Sequence, residues 1–456
     1  MARRSTALVV TVLFGLLVMV SCGSDDAPPS NGGTPGGVVN LTLWHSMRAP
    51  YSDALGRIVN EFNESQATYQ IEPIYQGSYT ESLNKLIAGS GTDNIPALIQ
   101  LDDVSTQLMQ DSGAITPVQD FIDDDDYDLT DFEPKAIAYY RNGDNLDSMP
   151  FNLAGPLLFY DKTDFEDAGL DPESPPATLE EVREAAEALV KRDQGGSVTR
   201  NGIALQVSPW FFEQMLAKQG ALYVNNDNGR SDRADEALFQ GPEGLEILTW
   251  YRDMVEDGLA YYANDDTDAL LSVAQDRTSM SIGSTAVLGA AVALVALTGE
   301  DATRLGTAPI PAPEPAAGTE GGIVLGGASL WIMNGRPDDE QRGAWEFIKF
   351  ASTPEQQAQW HVDTGYFPTR LSAYDQPVAV QRAQEFPQFN TAVEQLHSSP
   401  DNAATNGALV GPFNEVRDRI KAAFQQVLAG ADPASELESA AEDAAGAMEE
   451  YNRTAG

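Results

Sequence analysis

The sequence predicts an α/β protein of two lobes, each a mainly parallel sheet flanked by helices. Residues 39–101 alternate between strand-like and helix-like segments, the order expected where helices cross between parallel strands. A second series of elements begins at Leu157. The chain of 456 residues is also longer than one ordinary domain and suits two.

Apolar spacing identifies the first series. Val39–Trp44 alternates apolar and polar side chains as a half-buried strand does, whereas the apolar residues after Tyr51 recur at helical spacing. Ligands bind at the carboxyl ends of parallel strands, so Trp44–Ser46, Gly77–Tyr79 and Asp102–Asp103 are placed to face one. The predicted order is strand Val39–Trp44, helix Tyr51–Asn63, strand Tyr69–Tyr75, helix Tyr79–Ala88 and strand Ala97–Leu101.

Helix-capping residues and chain-breaking Pro and Gly residues identify the elements of the second series. Thr178 precedes a helical run and Glu181 follows three residues later, which is the pattern of a capping box. Pro309–Gly322 is rich in Pro, Gly and Ala and predicts a linker. The remaining predicted elements are helix Leu179–Lys191, helix Gly244–Asp257, a buried helix over Ala286–Leu297, strand Ile323–Met333, helix Glu340–Ser352, a helix from Pro354, and closing helices Asn414–Leu428 and Ala434–Tyr451.

The first residues predict export and then lipid attachment at Cys22. Two arginines precede an uninterrupted apolar run, Ala7–Val20, which is too short to span a membrane and matches the centre of a signal peptide. Met19–Cys22 resembles a bacterial lipobox, and Cys22 is the only cysteine, so it has no disulfide partner. Residues 23–38 predict a flexible tether. A cleaved signal with a stray cysteine stays the alternative.

The composition is acidic but globular. Hydrophobic residues make up 42% of the chain, which is enough to fill real cores. With 69 acidic and 27 basic residues the formal net charge is −42, so we expect no nucleic-acid partner, because phosphate binding needs basic patches. We interpret the acidity as a means of solubility, suited to a saline habitat where repulsion is screened.

Six stretches spread over the chain match one family in order. They are LTLWHSM (41–47), FNESQATYQIEPIYQGSYTESL (62–83), PALIQL (96–101), PFNLAGPLLFYDKTDFEDAGLDPESPPATLEE (150–181), GGASLWIM (326–333) and QWHVDTGYFPT (359–369). With these motifs the chain resembles the extracytoplasmic solute-binding proteins of ABC importers, in the group (family 1) that includes maltose-binding protein. It is most similar to the branch that binds glycerol-3-phosphate and glycerophosphodiesters.

This resemblance implies a type II periplasmic-binding-protein fold with a ligand cleft between the lobes and a hinge crossed about three times. We expect residues 39–152 and 327–400 in the N-terminal lobe, and residues 153–326 and 401–456 in the C-terminal lobe. The implied partners are a small solute (a sugar, polyol or glycerophosphodiester), the permease subunits, and the membrane through the lipid. We expect a monomer without cofactor or metal.

The resemblance also implies which residues bind the ligand. Tyr79 would touch it, Asp103 would accept from its hydroxyls, and Tyr366 would offer a phenol hydroxyl. A main-chain N–H would come from Gly327. The predicted set is completed by Ser284 as a small polar contact, Trp210 as a stacking face for a sugar ring or a choline-like cation, and Trp44, which ends a strand at the ligand edge.

Two departures from the family pattern bear on the ligand. A serine is expected after PFN, where this chain has Leu153 and Ala154. In GALVGPFNEVR (407–417), Leu409 stands where the resemblance places the arginine that grips phosphate. A buried phosphate without a cation is costly, so we favour an uncharged sugar or polyol. Arg370 and Arg417 are candidate substitutes for the lost cation, which keeps a phosphodiester open.

Other conspicuous residues have structural interpretations. Large aromatic side chains are mostly buried, so we expect Trp250, Trp331, Trp345 and Trp360 in the cores. The run Asp123–Asp126 lacks ordered ligand spacing and predicts a solvated acidic loop rather than a metal site.

Three functions remain open at this point. The first is a lipid-anchored binding protein that captures a solute for an importer and performs no chemistry. The second is an extracytoplasmic glycosidase, since carboxylates abound and two of them could flank a glycosidic bond. The third is a sensor lipoprotein on the same fold.

Overall fold

Two six-stranded sheets, each with helices packed against it, form the framework of the molecule. The structure is a computed structural model and describes residues 37–92, 94–263, 265–297, 301–314 and 319–455. Val38–Gly456 form one compact unit. Cys22 and nearly all of the predicted tether lie outside the described residues.

The strands are β1 (Val39–His45), β2 (Tyr69–Tyr75), β3 (Leu98–Asp102), β4 (Ile115–Thr116), β5 (Arg141–Asn142), β6 (Asn145–Leu146), β7 (Met149–Ala154), β8 (Pro156–Asp161), β9 (Lys191–Arg192), β10 (Val198–Gln206), β11 (Ala260–Ala263), β12 (Thr278–Ser284), β13 (Leu305–Pro309) and β14 (Gly326–Met333).

The helices are α1 (Tyr51–Ser65), α2 (Tyr79–Gly89), α3 (Thr106–Asp111), α4 (Val118–Asp125), α5 (Pro134–Tyr140), α6 (Lys162–Ala168), α7 (Leu179–Leu189), α8 (Pro209–Lys218), α9 (Asn225–Gly229), α10 (Pro242–Glu256), α11 (Asp266–Ala274), α12 (Leu288–Leu297), α13 (Asp338–Ala351), α14 (Pro354–Thr364), α15 (Pro377–Glu385), α16 (Gln388–Ser398), α17 (Phe413–Leu428) and α18 (Pro433–Thr454). Most match the predicted elements within a few residues. Helix α7 ends two residues early because Lys191 and Arg192 pair with β10 as β9.

The first sheet has the order β2-β1-β3-β14-β4, with β7 also paired to β14. Strand β1 is parallel to β2 and β3, which confirms the predicted crossover arrangement. Strand β14 comes from much later in the chain and is antiparallel to β3 and β7. The carboxyl ends of β1 and β3 therefore lie at one edge of this sheet.

The second sheet has the order β11-β10-β12-β8-β13, with β9 paired to β10. Strand β10 is parallel to β11 and β12, whereas β8 is antiparallel to β12 and β13. Each sheet is thus mixed, with three neighbouring parallel strands at one end of its order. This is the α/β architecture of two lobes that the sequence predicts.

The chain passes between the sheets at three places that meet in space. The first passage is Gly155, between β7 and β8, where an added Cβ would lie 2.9 Å from the Phe367 ring and 3.2 Å from Ile323. The second passage is the return to β14, which includes Ile323. The third follows α14 and includes Phe367, whose N–H donates to the Leu153 carbonyl at 2.7 Å. Helix α16 then packs on β13 of the second sheet. The numbered lobe boundaries stay a prediction.

Each lobe has its own hydrophobic core. Trp331, Trp345 and Trp360 are buried in the core of the first lobe and Trp250 in that of the second, as predicted.

The prediction for Asp123–Asp126 was wrong in part, because these residues are no loop: helix α4 runs to Asp125, whose carboxylate accepts from Arg342 and Lys349. Within the described residues, no helix has both the length and the apolar character that crossing a membrane requires.

Candidate functional site

The predicted ligand residues of the first lobe lie close to one another at the edge where β1 and β3 end. The buried amide of Asn152 donates to the Tyr79 hydroxyl at 3.2 Å. Burial and then the neighbouring Tyr366 raise the pKa of Tyr79, and Asp103 also contributes. Asp103 in turn interacts with the main-chain N–H of Gly327. Tyr79, Asp103, Gly327 and Tyr366 therefore share one surface.

Helix α2 positions Tyr79 through its N-terminus. Ser78 accepts from the Glu81 N–H at 3.2 Å, and the Glu81 carboxylate accepts from the Ser78 N–H at 2.7 Å, completing a capping box. Gly77 precedes it with a φ of +100°, and a Cβ there would overlap the Glu81 carboxylate. The ring of Tyr79, the first residue of the helix, is thus fixed at the sheet edge.

A line of hydrogen bonds connects this ring, through side chains of β7 and β3, to the end of β1. The Ser46 N–H donates to the Gln100 side chain at 3.1 Å, and the Gln100 amide donates to Asn152 at 2.6 Å. Asn152 then donates to Tyr79. Gln100 and Asn152 are both buried. Neither was predicted from the sequence to belong to the site.

Two adjacent carboxyls lie at the end of β3. Burial and the neighbouring Asp103 raise the pKa of Asp102 to about 6, although Ser105 donates to its carboxylate at 2.6 Å. Burial also raises the pKa of Asp103, against the opposite effects of Arg417 and the Gly327 N–H. Both groups titrate above their ordinary range because the charged form is poorly solvated there.

Gly326 and Gly327 begin β14, and the first of them meets Trp210 of the other lobe. Gly327 has a φ of +125°, and a Cβ there would overlap the Asn152 carbonyl oxygen, so only glycine fits. A Cβ at the preceding Gly326 would lie 2.7 Å from the Trp210 indole nitrogen. Trp210 is half-buried on α8 of the second lobe and packs against both hydrophobic cores. Its indole ring therefore lies between the lobes, and its predicted role of stacking on a ligand stays a prediction.

The second lobe adds an arginine–glutamate pair to the site. The Arg417 guanidinium on α17 donates to both Glu213 oxygens on α8, Nε to Oε1 at 2.7 Å and Nη2 to Oε2 at 2.6 Å. Its Nη2 also lies 3.5 Å from Asp103 Oδ2 of the first lobe. Burial lowers the pKa of Arg417, but Glu213 and Asp103 outweigh burial and raise it. Glu213 was not predicted from the sequence, because no motif distinguishes it.

The two candidate substitutes for the lost phosphate-binding arginine have different surroundings. Arg417 faces the site, whereas Arg370 donates to the Ser352 carbonyl and the Tyr127 hydroxyl, both at 2.6 Å, and stacks on Phe132. None of these three partners is a residue of the site, so the structure does not bring Arg370 to it. Leu409 is half-buried and its N–H donates to the Asn228 carbonyl at 2.8 Å.

The remaining predicted residues occupy varied positions. Tyr366 is buried and stacks on Trp360, with ring centroids 5.7 Å apart and planes 12° apart. Trp44 is half-buried, pairs across to Ile99 of β3 and packs against the first core. Ser284 ends β12 and its hydroxyl accepts from the Ala286 N–H at 3.1 Å, so it caps a short 3₁₀ turn. Among the described residues there is no cluster of three metal-binding side chains.

This two-lobed arrangement is similar to known transport proteins. The family model for bacterial extracellular solute-binding proteins matches residues 57–388. The sn-glycerol-3-phosphate-binding periplasmic protein UgpB of Escherichia coli (strain K12) is 30% identical over 419 residues, which cover 89% of this chain and 91% of that protein.

Solved structures show the same fold. UgpB from Mycobacterium tuberculosis in complex with glycerophosphocholine superposes with a TM-score of 0.75 at 22% identity and covers 91% of this chain and 100% of that chain. A solute-binding protein of an ABC transporter from Agrobacterium radiobacter K84 in complex with ribitol gives 0.71 at 21% identity and covers 90% and 99%. The family match over most of the chain, together with the UgpB relative, shows that this chain belongs to the bacterial extracellular solute-binding proteins.

Proposed function

We propose that the cleft captures an uncharged sugar or polyol and that the protein hands this solute to an ABC permease. One observation carries the choice of ligand. Glu213 occupies both donors on one edge of Arg417, and Asp103 lies against the same guanidinium. A phosphate would have to compete with carboxylates that are already in place, whereas a hydroxyl can both donate and accept.

The other groups of the site suit such a ligand. Asp103 would accept from a ligand hydroxyl, and the second terminal nitrogen of Arg417, Nη1, would donate to one. Trp210, between the lobes, would stack on the apolar face of a sugar ring. Tyr79 and Tyr366 would supply further hydroxyl contacts. Aromatic faces with a few convergent polar groups are the usual composition of a small-molecule site.

A glycerophosphodiester is the second candidate. It is favoured by the 30% identity to the Escherichia coli glycerol-3-phosphate-binding protein and opposed by Leu409, which stands where the family resemblance places an arginine. If Leu409 is what disfavours a phosphorylated ligand, Leu409→Arg should raise the affinity for glycerol 3-phosphate and leave the affinity for the polyol nearly unchanged.

Isothermal titration of the mature protein tests the proposal. The panel contains ribitol, maltose, glycerol, glycerol 3-phosphate and glycerophosphocholine. We expect tight binding of an uncharged member and no heat from the phosphorylated ones. Trp210→Ala and Tyr366→Ala should each weaken binding by about 1–3 kcal/mol, the range for losing a stacked or buried polar contact. Exclusive binding of a phosphorylated solute would overturn the choice of ligand, and unchanged affinity in both variants would overturn the choice of site.

A separate incubation experiment tests for catalysis. A binding protein returns its ligand intact, so we expect no cleavage when ligands and oligosaccharides are incubated with the protein and separated by chromatography. Released product that disappears on Asp103→Asn would favour the glycosidase instead.

We further propose that lipid on Cys22 holds the protein at the outer face of the membrane. The family is extracellular, and the signal sequence and lone cysteine support the anchor. Two or more acyl chains on one residue would give stable anchoring. Labelling cells with an alkyne fatty acid should mark the wild-type protein in the membrane fraction, whereas Cys22→Ala should be unlabelled and soluble. Label on the alanine variant would refute the assignment.

A further inference from the structure

The pairing of Arg417 with Glu213 leaves the two edges of the guanidinium with different hydrogen-bond partners. Glu213 binds the edge made of Nε and Nη2, one of the two edges at which a guanidinium offers two parallel N–H groups to an oxyanion. Among the described residues, none accepts a hydrogen bond from Nη1. The Nε/Nη2 edge is therefore occupied from within the protein, and Asp103 Oδ2 lies 3.5 Å from the Nη2 nitrogen that the second edge would also use, which leaves Nη1.

Both partners are held in place by their own helices. Arg417 lies on α17 with its guanidinium carbon 4.9 Å from the centroid of the Phe413 ring, one turn earlier. Glu213 lies on α8, one turn after Pro209 and close to the inter-lobe Trp210. Their side chains are 18% and 10% exposed, so the pair borders the cleft without being sealed off.

The charges around Arg417 also oppose an anion. Glu213 touches the guanidinium, Asp103 approaches it from the other lobe, and Asp102 acts on it from further away. Three carboxyls thus surround one cation. A purely structural ion pair would need only one of them, and it would not require the cation to face Asp103 across the cleft.

We propose that Glu213 is a specificity-determining residue, which occupies the phosphate-binding edge of Arg417 and so keeps anionic solutes out of the cleft. The proposal deepens the proposed function and rests on it. Glu213 acts as an internal anion that a ligand phosphate would have to displace. Removing its charge while keeping its shape should open the edge to an external oxyanion.

The test compares wild type with Glu213→Gln, using glycerol 3-phosphate and inorganic phosphate as probes in ³¹P NMR titrations and calorimetry. We expect at least about a tenfold gain in affinity for both probes in the variant, since charge-assisted pairs are among the stronger contacts. Glu438→Gln removes one exposed carboxylate from α18 and serves as the control for net charge. It should gain nothing.

Further variants make the result decisive. Adding Arg417→Gln to Glu213→Gln should abolish the gain, because the cation that receives the phosphate is gone. If Glu213→Gln fails to fold, Glu213→Asp draws the carboxylate back by one methylene and should gain a few-fold. No gain in any folded Glu213 variant overturns the proposal, as does a gain that survives loss of Arg417. Wild-type binding of the uncharged ligands is measured separately, so failure of the proposed function is recognised independently.

Discussion

Asp125 is a single carboxylate that joins two helices of the first lobe. At the end of α4 it accepts from Arg342 at 2.8 and 2.9 Å, from the Trp345 indole at 2.9 Å and from Lys349 at 2.6 Å, all on α13. Its side chain is only 19% exposed. Hydrogen bonds to charged groups contribute more than neutral ones, so this residue should matter for stability.

Asp125→Asn should lower the free energy of unfolding by about 1–3 kcal/mol at pH 7, because the amide cannot accept from all three donor groups. Urea unfolding measures the loss. Asp124→Asn changes the exposed neighbouring carboxylate and should change stability little. Equal losses in the two variants would contradict the assigned role.

The same variant has a defined dependence on pH. The hydrogen bond from Lys349 is the largest cause that lowers the pKa of Asp125, with Trp345 and Arg342 adding to it against burial. A carboxyl whose folded pKa is depressed stabilises the protein above its unfolded pKa of about 4. The difference between wild type and Asp125→Asn should stay constant above about pH 5 and shrink as the pH falls through the folded pKa.

At the scale of elements, two helices begin with the same capping box but differ in position. Ser78 and Glu81 cap α2, whose first residue is Tyr79 of the site. Thr178 and Glu181 cap α7 in the second lobe. The capping box of α2 therefore affects both the stability of the helix and the placement of a ligand residue. The capping box of α7 affects helix stability alone.

Ser78→Ala should cost about 0.5–2 kcal/mol of stability and should also weaken ligand binding. Thr178→Ala is the matched control, with a similar loss of stability and unchanged affinity. Thermal unfolding and calorimetry on both variants separate the two effects. Unchanged affinity in Ser78→Ala would mean that Asn152 and Tyr366 suffice to hold the Tyr79 ring.

Local signals explain why so many elements were predictable from sequence. The Thr178–Glu181 box and the alternation of Val39–Trp44 are contained within a few residues, and both were confirmed. The pairing of Glu213 with Arg417 joins positions 204 residues apart and depends on how α8 and α17 meet. No local pattern in the sequence predicts that these two helices come together. The site was therefore predicted only through family motifs, and the prediction lacked Glu213.

At the scale of the whole molecule, ion pairs as well as chain crossings connect the lobes. Asp111 on α3 of the first lobe accepts from Arg233 at 2.7 and 2.9 Å and from the Tyr451 hydroxyl at 2.8 Å. Arg233 precedes α10 and Tyr451 lies on α18, both in the second lobe. A ligand held between two lobes escapes when they separate, so contacts made only in the closed form add to affinity.

Asp111→Asn should therefore weaken binding of every ligand by the same factor, about five- to thirtyfold, since one charged contact of about 1–2 kcal/mol is lost from the closed form. Asp268→Asn is the matched control, because Asp268 also accepts from an arginine and a tyrosine, Arg277 and Tyr261, but within the second lobe alone. Calorimetry with two ligands of different size measures the factor. A loss confined to one ligand would place Asp111 in ligand recognition, and no loss would mean that its contacts persist when the lobes open.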